Sequence, residues 1–253
     1  MNRLVIIGNG FDMAHGLRTS YMDFINWYWD QRVYVFIGNT TNVSQDCLCK
    51  LVIKETGDFS CWNVFAASNS YFFKDLYQKE RYSGSEVFQE IKQHPETFMV
   101  ECSPFFETIL QSIESKGWVD IENDYYQLLK DSINNPRCEY TITGLNQQLA
   151  FIQSKLVEYL STIKEGEYKS EYQKAITDYF NPDDFSTEGR VRALDNMGLD
   201  FDRPYDKQYF QEEHEKLAPE RIMLLSFNYT KTAQLYGGSN VVHNYIHGGL
   251  TRP

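Results

Sequence analysis

The chain opens Leu4-Val5-Ile6-Ile7 and runs straight into Gly8-Asn9-Gly10-Phe11-Asp12 and Met13-Ala14-His15-Gly16-Leu17. An apolar, β-branched run that breaks into glycines marks a buried parallel strand handing over to a helix, which points to an α/β fold. Nucleotides bind at such turns. Glycine at 8 and 10 permits positive φ and close approach of a ligand to the backbone, while the N–H groups and dipole of the next helix attract phosphate. The same turn can also be plain tight packing in any α/β domain. Gly16 follows Gly10 by six residues, whereas the dinucleotide fingerprint places its third glycine three residues after the second and an acidic residue about twenty further on. An ordinary dehydrogenase is therefore not expected.

Two further apolar runs lie at the other end of the chain. Arg221-Ile222-Met223-Leu224-Leu225-Ser226-Phe227-Asn228-Tyr229-Thr230 and Val241-Val242-His243-Asn244-Tyr245-Ile246-His247-Gly248-Gly249 both read as strands with polar tips. Ligands of open parallel sheets sit beyond the carboxyl ends of the strands, so Gly8 to Asp12, Asn228 and His247 are expected to converge there. His243 lies on the same strand face as His247 by period-two alternation, but nearer the strand start, and is read as structural.

These residues resemble the bacteriophage abortive-infection family AbiH. The resemblance is carried by Ile6-Ile7-Gly8-Asn9-Gly10-Phe11-Asp12-Met13-Ala14-His15-Gly16-Leu17-Arg18-Thr19-Ser20-Tyr21, by Trp118-Val119-Asp120-Ile121-Glu122, and by Ser226-Phe227-Asn228-Tyr229-Thr230 with Ile246-His247-Gly248. The motif spacing is also similar to that of sirtuin-like NAD-consuming enzymes. Gly8, Gly10, Gly16 and Leu17 match their first motif, Ser226 and Asn228 part of the second, and His247-Gly248 the third. Thr230 stands where those enzymes carry Asp, Arg18-Thr19-Ser20-Tyr21 replaces their proline and acidic-aromatic-arginine segment, and their zinc module is missing. The resemblance thus implies cleavage of NAD to nicotinamide and ADP-ribose rather than protein deacylation. By the same carry-over, His247 is the general base and Asn228 orients the nicotinamide ribose or a water. Gly8, Asn9, Gly10, Phe11, Asp12, Gly16, Ser226 and Glu122 would hold the nucleotide.

The chemistry suits these side chains. Nicotinamide leaves as a neutral group from a cationic one, so the protein has to hold the ribose, stabilise an electron-poor sugar and manage one proton. Imidazole is the side chain fitted to that proton near neutral pH, and an amide both donates and accepts. Asp12, Asp120 and Glu122 also read simply as helix-start acids.

With 253 residues and 42% hydrophobic content the chain can bury one sizeable core or carry one large insertion. A net charge of −11 argues against a general nucleic-acid surface. It also disfavours a metal-dependent nuclease built on Asp12, Asp120 and Glu122. Neither a secretion leader nor a run of about eighteen apolar residues is seen, so a cytoplasmic protein is expected. Cys47, Cys49, Cys61, Cys102 and Cys138 form no disulfide framework and no zinc pattern; free thiols and no metal are expected.

The expected fold class is α/β: a Rossmann-like, sirtuin-like parallel core from residues 1–30 and 218–253, with a large, mainly helical insertion over 31–217 in the same compact unit. Helix starts are expected at Thr19-Ser20, Ser103-Pro104, Asp120 and Thr143, and a turn at Asn181-Pro182-Asp183-Asp184. Val33 to Ile37 reads either as a strand or as a buried helix end. AbiH-like chains usually continue beyond the His-Gly pair, so this one is a fragment, is naturally truncated, or completes its sheet from the middle region. The expected partners are a nucleotide small molecule and a homo-oligomer or phage-derived protein trigger, with no general nucleic acid and no membrane. The alternative to an NAD hydrolase is a non-catalytic nucleotide-sensing or protein-interaction module.

Overall fold

The computed structural model describes residues 2–37, 40–54, 83–116, 120–135, 138, 140–180, 185–198 and 218–248. The chain divides into two compact units: residues 1–18 with 163–253, and residues 19–162. The described residues 163–180 and 185–198, expected in the insertion, thus group with the amino-terminal strand.

The first unit is built on a parallel sheet of β1 (Asn2–Ile7), β5 (Arg221–Ser226) and β6 (Val241–Tyr245), with β5 central. Ile7 stands opposite Ser226, and Ser226 opposite Tyr245, so all three strands end at one rim. Three elements join them: the short helix α1 (Asn9–Ala14), α7 (Ser170–Thr177) and a 3₁₀ turn (Thr232–Leu235). Ile7, Ile222 and Leu224 bury one sheet face against Ile176, Ala233 and Tyr236. Arg3 ties β1 to α7, donating to the Ile176 carbonyl at 2.7 Å and lying 4.5 Å from the Phe180 ring centroid. The opposite face carries Leu4, Ile6, Met223 and Val242, all exposed. The strand expected to be buried is thus covered, among the described residues, on the face that carries Ile7. Helix α8 (Thr187–Met197) completes the described elements of this unit.

The second unit holds α2 (Tyr21–Ile37), β2 (Val43–Gln45), β3 (Cys49–Ile53), α3 (Gly84–Gln93), β4 (Phe98–Cys102), α4 (Pro104–Lys116), α5 (Ile121–Asn134) and α6 (Ile142–Thr162). Its three strands form an antiparallel sheet, β2-β3-β4, within the region expected to be mainly helical. The middle region therefore adds no described strand to the parallel sheet. Val33 to Ile37 is helix, with Val33 and Phe36 buried and Tyr34 and Val35 exposed, a helical rather than a strand period. Local capping chemistry sets several helix starts. The Ser20 hydroxyl accepts from Asp23 N–H at 3.1 Å, and the Asp120 carboxylate accepts from Asn123 N–H at 3.1 Å. Pro104 is the first residue of α4. The cap of α6 is Thr141, not Thr143; its hydroxyl accepts from Gly144 N–H at 3.0 Å. The Asn181–Asp184 turn lies outside the described residues.

A buried polar knot anchors β3. The Asp46 carboxylate accepts from Leu48 and Cys49 N–H at 2.8 and 2.9 Å and from the Tyr28 hydroxyl, and Arg32 Nε lies 3.3 Å from its other oxygen. Burial, then the nearby charge of Asp46, push the Tyr28 phenol far above its ordinary range. A phenol held neutral in the fold but free to ionise when unfolded stabilises below pH about 10, and that stability falls as pH rises further. Alkaline titration of stability is therefore expected to be steeper for the native chain than for Tyr28→Phe, measured by denaturant unfolding above pH 10. Superimposable curves would contradict it.

Candidate functional site

The rim at the carboxyl ends of β1, β5 and β6 is joined by backbone first. Phe227 N–H donates to the Ile7 carbonyl and Ile246 N–H to the Ser226 carbonyl, each at 2.9 Å. The Asn228 side-chain amide then donates to the Gly8 carbonyl at 2.9 Å, clipping the tip of β5 to the glycine turn. Asn228 is buried, and its own N–H is received by the buried Ser226 hydroxyl at 3.2 Å. Both residues therefore shape the rim.

The glycine turn differs from expectation in its dihedral angles. Gly8 is extended (φ −121), Gly10 lies within α1, and neither has positive φ. Gly16 does, at φ 77, and ends the helix turn. Gly8 and Gly10 are exposed, and a Cβ added at either would meet no atom within 4 Å. Neither the backbone conformation nor the packing of the described chain calls for glycine there. The bare backbone leaves room for an approaching molecule. Helix α1 has only six residues, so its dipole contributes little.

Asn9 is exposed at the start of α1. Asp12 is 1% exposed, and its Oδ2 accepts from the Thr230 hydroxyl at 2.7 Å, with the Thr232 hydroxyl 3.2 Å from that of Thr230. Its Oδ1 is buried without a hydrogen-bond partner. Phe11 is a packing residue: its ring centroid lies 4.4 Å from His15, 5.5 Å from Tyr236 and 5.6 Å from Tyr172.

His247 is exposed in the turn after β6, its ring stacked on Tyr229 at 5.4 Å and edge-on to Phe227 at 6.0 Å. Phe227, Tyr229 and Ile246 are also exposed, so an open aromatic ledge borders the glycine turn. Rings presented in this way can receive a planar heterocycle. Gly248, at φ 71, turns the chain just past His247. His243 is structural, donating from Nε2 to the carbonyls of Ala233 and Tyr236 at 3.0 and 2.8 Å. Glu122 lies in the other unit, exposed in the first turn of α5, where its charge suits the helix dipole.

Sequence reasoning assigned no role to His15 and Tyr236. Lys169 N–H donates to the Tyr236 hydroxyl at 3.1 Å, that hydroxyl donates to His15 Nε2, and His15 Nδ1–H donates to the Phe11 carbonyl at 2.6 Å. A carbonyl can only accept, so Nδ1 carries the proton of this contact. The Lys169 ammonium also donates to the Ala14 carbonyl at 2.7 Å. The glycine turn is thus held from behind by residues more than 150 positions away. Only the presence of His15 inside the long first motif could have signalled this.

Among the described residues no group of three His, Cys, Asp or Glu side chains is placed to hold a metal ion, and no helix is long and apolar enough to cross a membrane. The family model described as Bacteriophage abortive infection AbiH matches residues 4–253. No curated protein and no solved structure matches the chain.

Proposed function

The chain belongs to the bacteriophage abortive-infection family AbiH, and from that premise we propose that it acts in phage defence by binding NAD or a related nucleotide at the sheet rim and hydrolysing it. The observation that carries this reading is the pairing of two bare, exposed glycines with an open aromatic ledge at one end of a parallel sheet. Phosphates pass over Gly8 and Gly10, and the nicotinamide ring stacks beside Phe227 and Tyr229. In this reading the sheet is a Rossmann-like, sirtuin-like core, and the protein acts in the cytoplasm, alone or as a homo-oligomer, when a phage-derived protein triggers it.

The reaction needs few groups. The nicotinamide–ribose bond breaks with its electrons on nicotinamide, and a water oxygen bonds to the ribose carbon. His247 takes the water's proton, leaving nicotinamide and ADP-ribose. Asn228 acts by holding the Gly8 carbonyl and so the shape of the turn. That engagement also favours a second reading, in which the rim binds a nucleotide and senses it without turnover.

Incubating the full chain with NAD and measuring nicotinamide by chromatography distinguishes the two. Release is expected, reduced about a hundredfold or more in His247→Ala. Asn228→Ala is expected to lose release as well, with a lower unfolding midpoint that His247→Ala does not share. Calorimetric binding with no nicotinamide formed would select the sensing module. Release unchanged in His247→Ala would remove its role as base.

A further inference from the structure

The second unit carries a feature independent of the sheet rim. Cys49 on β3 and Cys102 on β4 are direct partners across the antiparallel ladder. Ser103 N–H donates to the Leu48 carbonyl at 2.7 Å and Lys54 N–H to the Thr97 carbonyl at 2.9 Å, so backbone bonding falls on the even positions of β3. Cys49 and Cys102 therefore form a non-hydrogen-bonded pair, the closer kind, with Cα atoms about 4.5 Å apart. That separation lies within the range a disulfide spans. Both thiols are free.

Their surroundings differ. Cys49 is 2% exposed, with the guanidinium of Arg32 donating to its carbonyl. Cys102 is partly buried and lines a cavity of about 470 Å³ with Phe88, Ile91, Lys92, Val100 and Glu107. The neighbouring Cys49 thiol draws Cys102 below the ordinary thiol range against its burial and the Glu107 charge, while Cys49 is held above that range by Cys102 and by burial. A small neutral oxidant entering the cavity meets Cys102 first, with Cys49 directly behind.

We propose that Cys49 and Cys102 are a redox pair that a hydroperoxide converts into a reversible cross-strand disulfide, with Cys102 attacking and Cys49 resolving. The Cys102 thiolate attacks one peroxide oxygen, the O–O bond breaks, and the leaving hydroxide takes a proton to become water. Cys102 is then a sulfenic acid. The Cys49 sulfur, losing its proton, attacks the Cys102 sulfur and expels the second oxygen as water. Two thiols are oxidised by two electrons, and one hydrogen peroxide is reduced to two waters. An exogenous thiol returns the pair to its present state.

The test treats the full chain with one equivalent of hydrogen peroxide, alkylates the remaining thiols and maps the peptides by mass spectrometry. Two of the five cysteines are expected to become unavailable, joined as a Cys49–Cys102 peptide that dithiothreitol separates. Cys102 is expected to react ahead of Cys47, although Cys47 is exposed, because burial and the Asp46 charge raise the Cys47 thiol. In Cys49→Ser, and in Cys49→Ala as a second variant, Cys102 stalls as a sulfenic acid trapped by dimedone. Oxidation of Cys47 first, a linkage between other cysteines, or accumulation of Cys102 sulfinic acid in the native chain would overturn the pairing.

Discussion

Trp29→Ala is expected to lower stability by about 3–5 kcal/mol, the range for deleting a large buried aromatic ring. The indole is 2% exposed and stacks on Phe88 with ring centroids 3.5 Å apart, with Tyr28 and Phe106 at 5.1 and 5.6 Å. Such a site cannot collapse easily, because α2 and α3 are already in backbone contact there. A Cβ at Gly84 would collide with the main chain of Trp29 and Asp30, and Gly84 N–H donates to the Asp30 carboxylate. Helices this close leave a rigid hole when the ring between them is removed. Denaturant unfolding should show the midpoint falling much further than for Trp27→Ala on the same helix, where the ring is only half-buried. Equal losses at the two positions would show that α3 does not depend on the Trp29 stack.

Tyr236→Ala is expected to cost a comparable amount, about 3–5 kcal/mol. Its ring is fully buried among Phe11, His15, Tyr168 and Tyr172, and its hydroxyl joins Lys169 to His15. Tyr236→Phe separates the two contributions. It keeps the ring and strands a buried imidazole nitrogen and a backbone N–H, which costs about 1–3 kcal/mol. A double-mutant cycle between Tyr236→Phe and His15→Ala should give a coupling of about 0.5–3 kcal/mol. Zero coupling would mean that the aromatic packing alone holds the glycine turn.

What the sequence reveals follows the range of the physics involved. Helix starts at Ser20 and Asp120 are legible because a cap is made by residues three positions apart, and the start at Pro104 because proline suits the first helical position, although the Ser103 hydroxyl before it makes no cap. The strands β1, β5 and β6 are legible as apolar runs, and a parallel register puts their ends together. The antiparallel β2-β3-β4 sheet is not legible. Its strands are three to five residues long, and β3 pairs with a strand almost fifty residues away. Residues of the first motif divide in the same manner. Glycine at 8 and 10 can be read as an open turn, but whether Phe11 and Asp12 face a ligand or the interior depends on Tyr236 and Thr230, which nothing local identifies. A strand-end asparagine gives no sign that its amide is committed to the Gly8 carbonyl.

The unit bearing the rim is assembled from two stretches separated by well over a hundred residues, 1–18 and 163–253, while the other is one uninterrupted stretch. Among the described residues β1 pairs only with β5, so during synthesis this strand has to wait for Arg221–Ser226. The contiguous stretch can form its local contacts in the interval, whereas Leu4 and Ile6 remain without a neighbouring strand. Closing so long a loop is slow, yet each doubling of its length costs only about 0.6 kcal/mol. Lengthening residues 19–162 should therefore delay sheet closure during synthesis far more than it weakens the finished sheet.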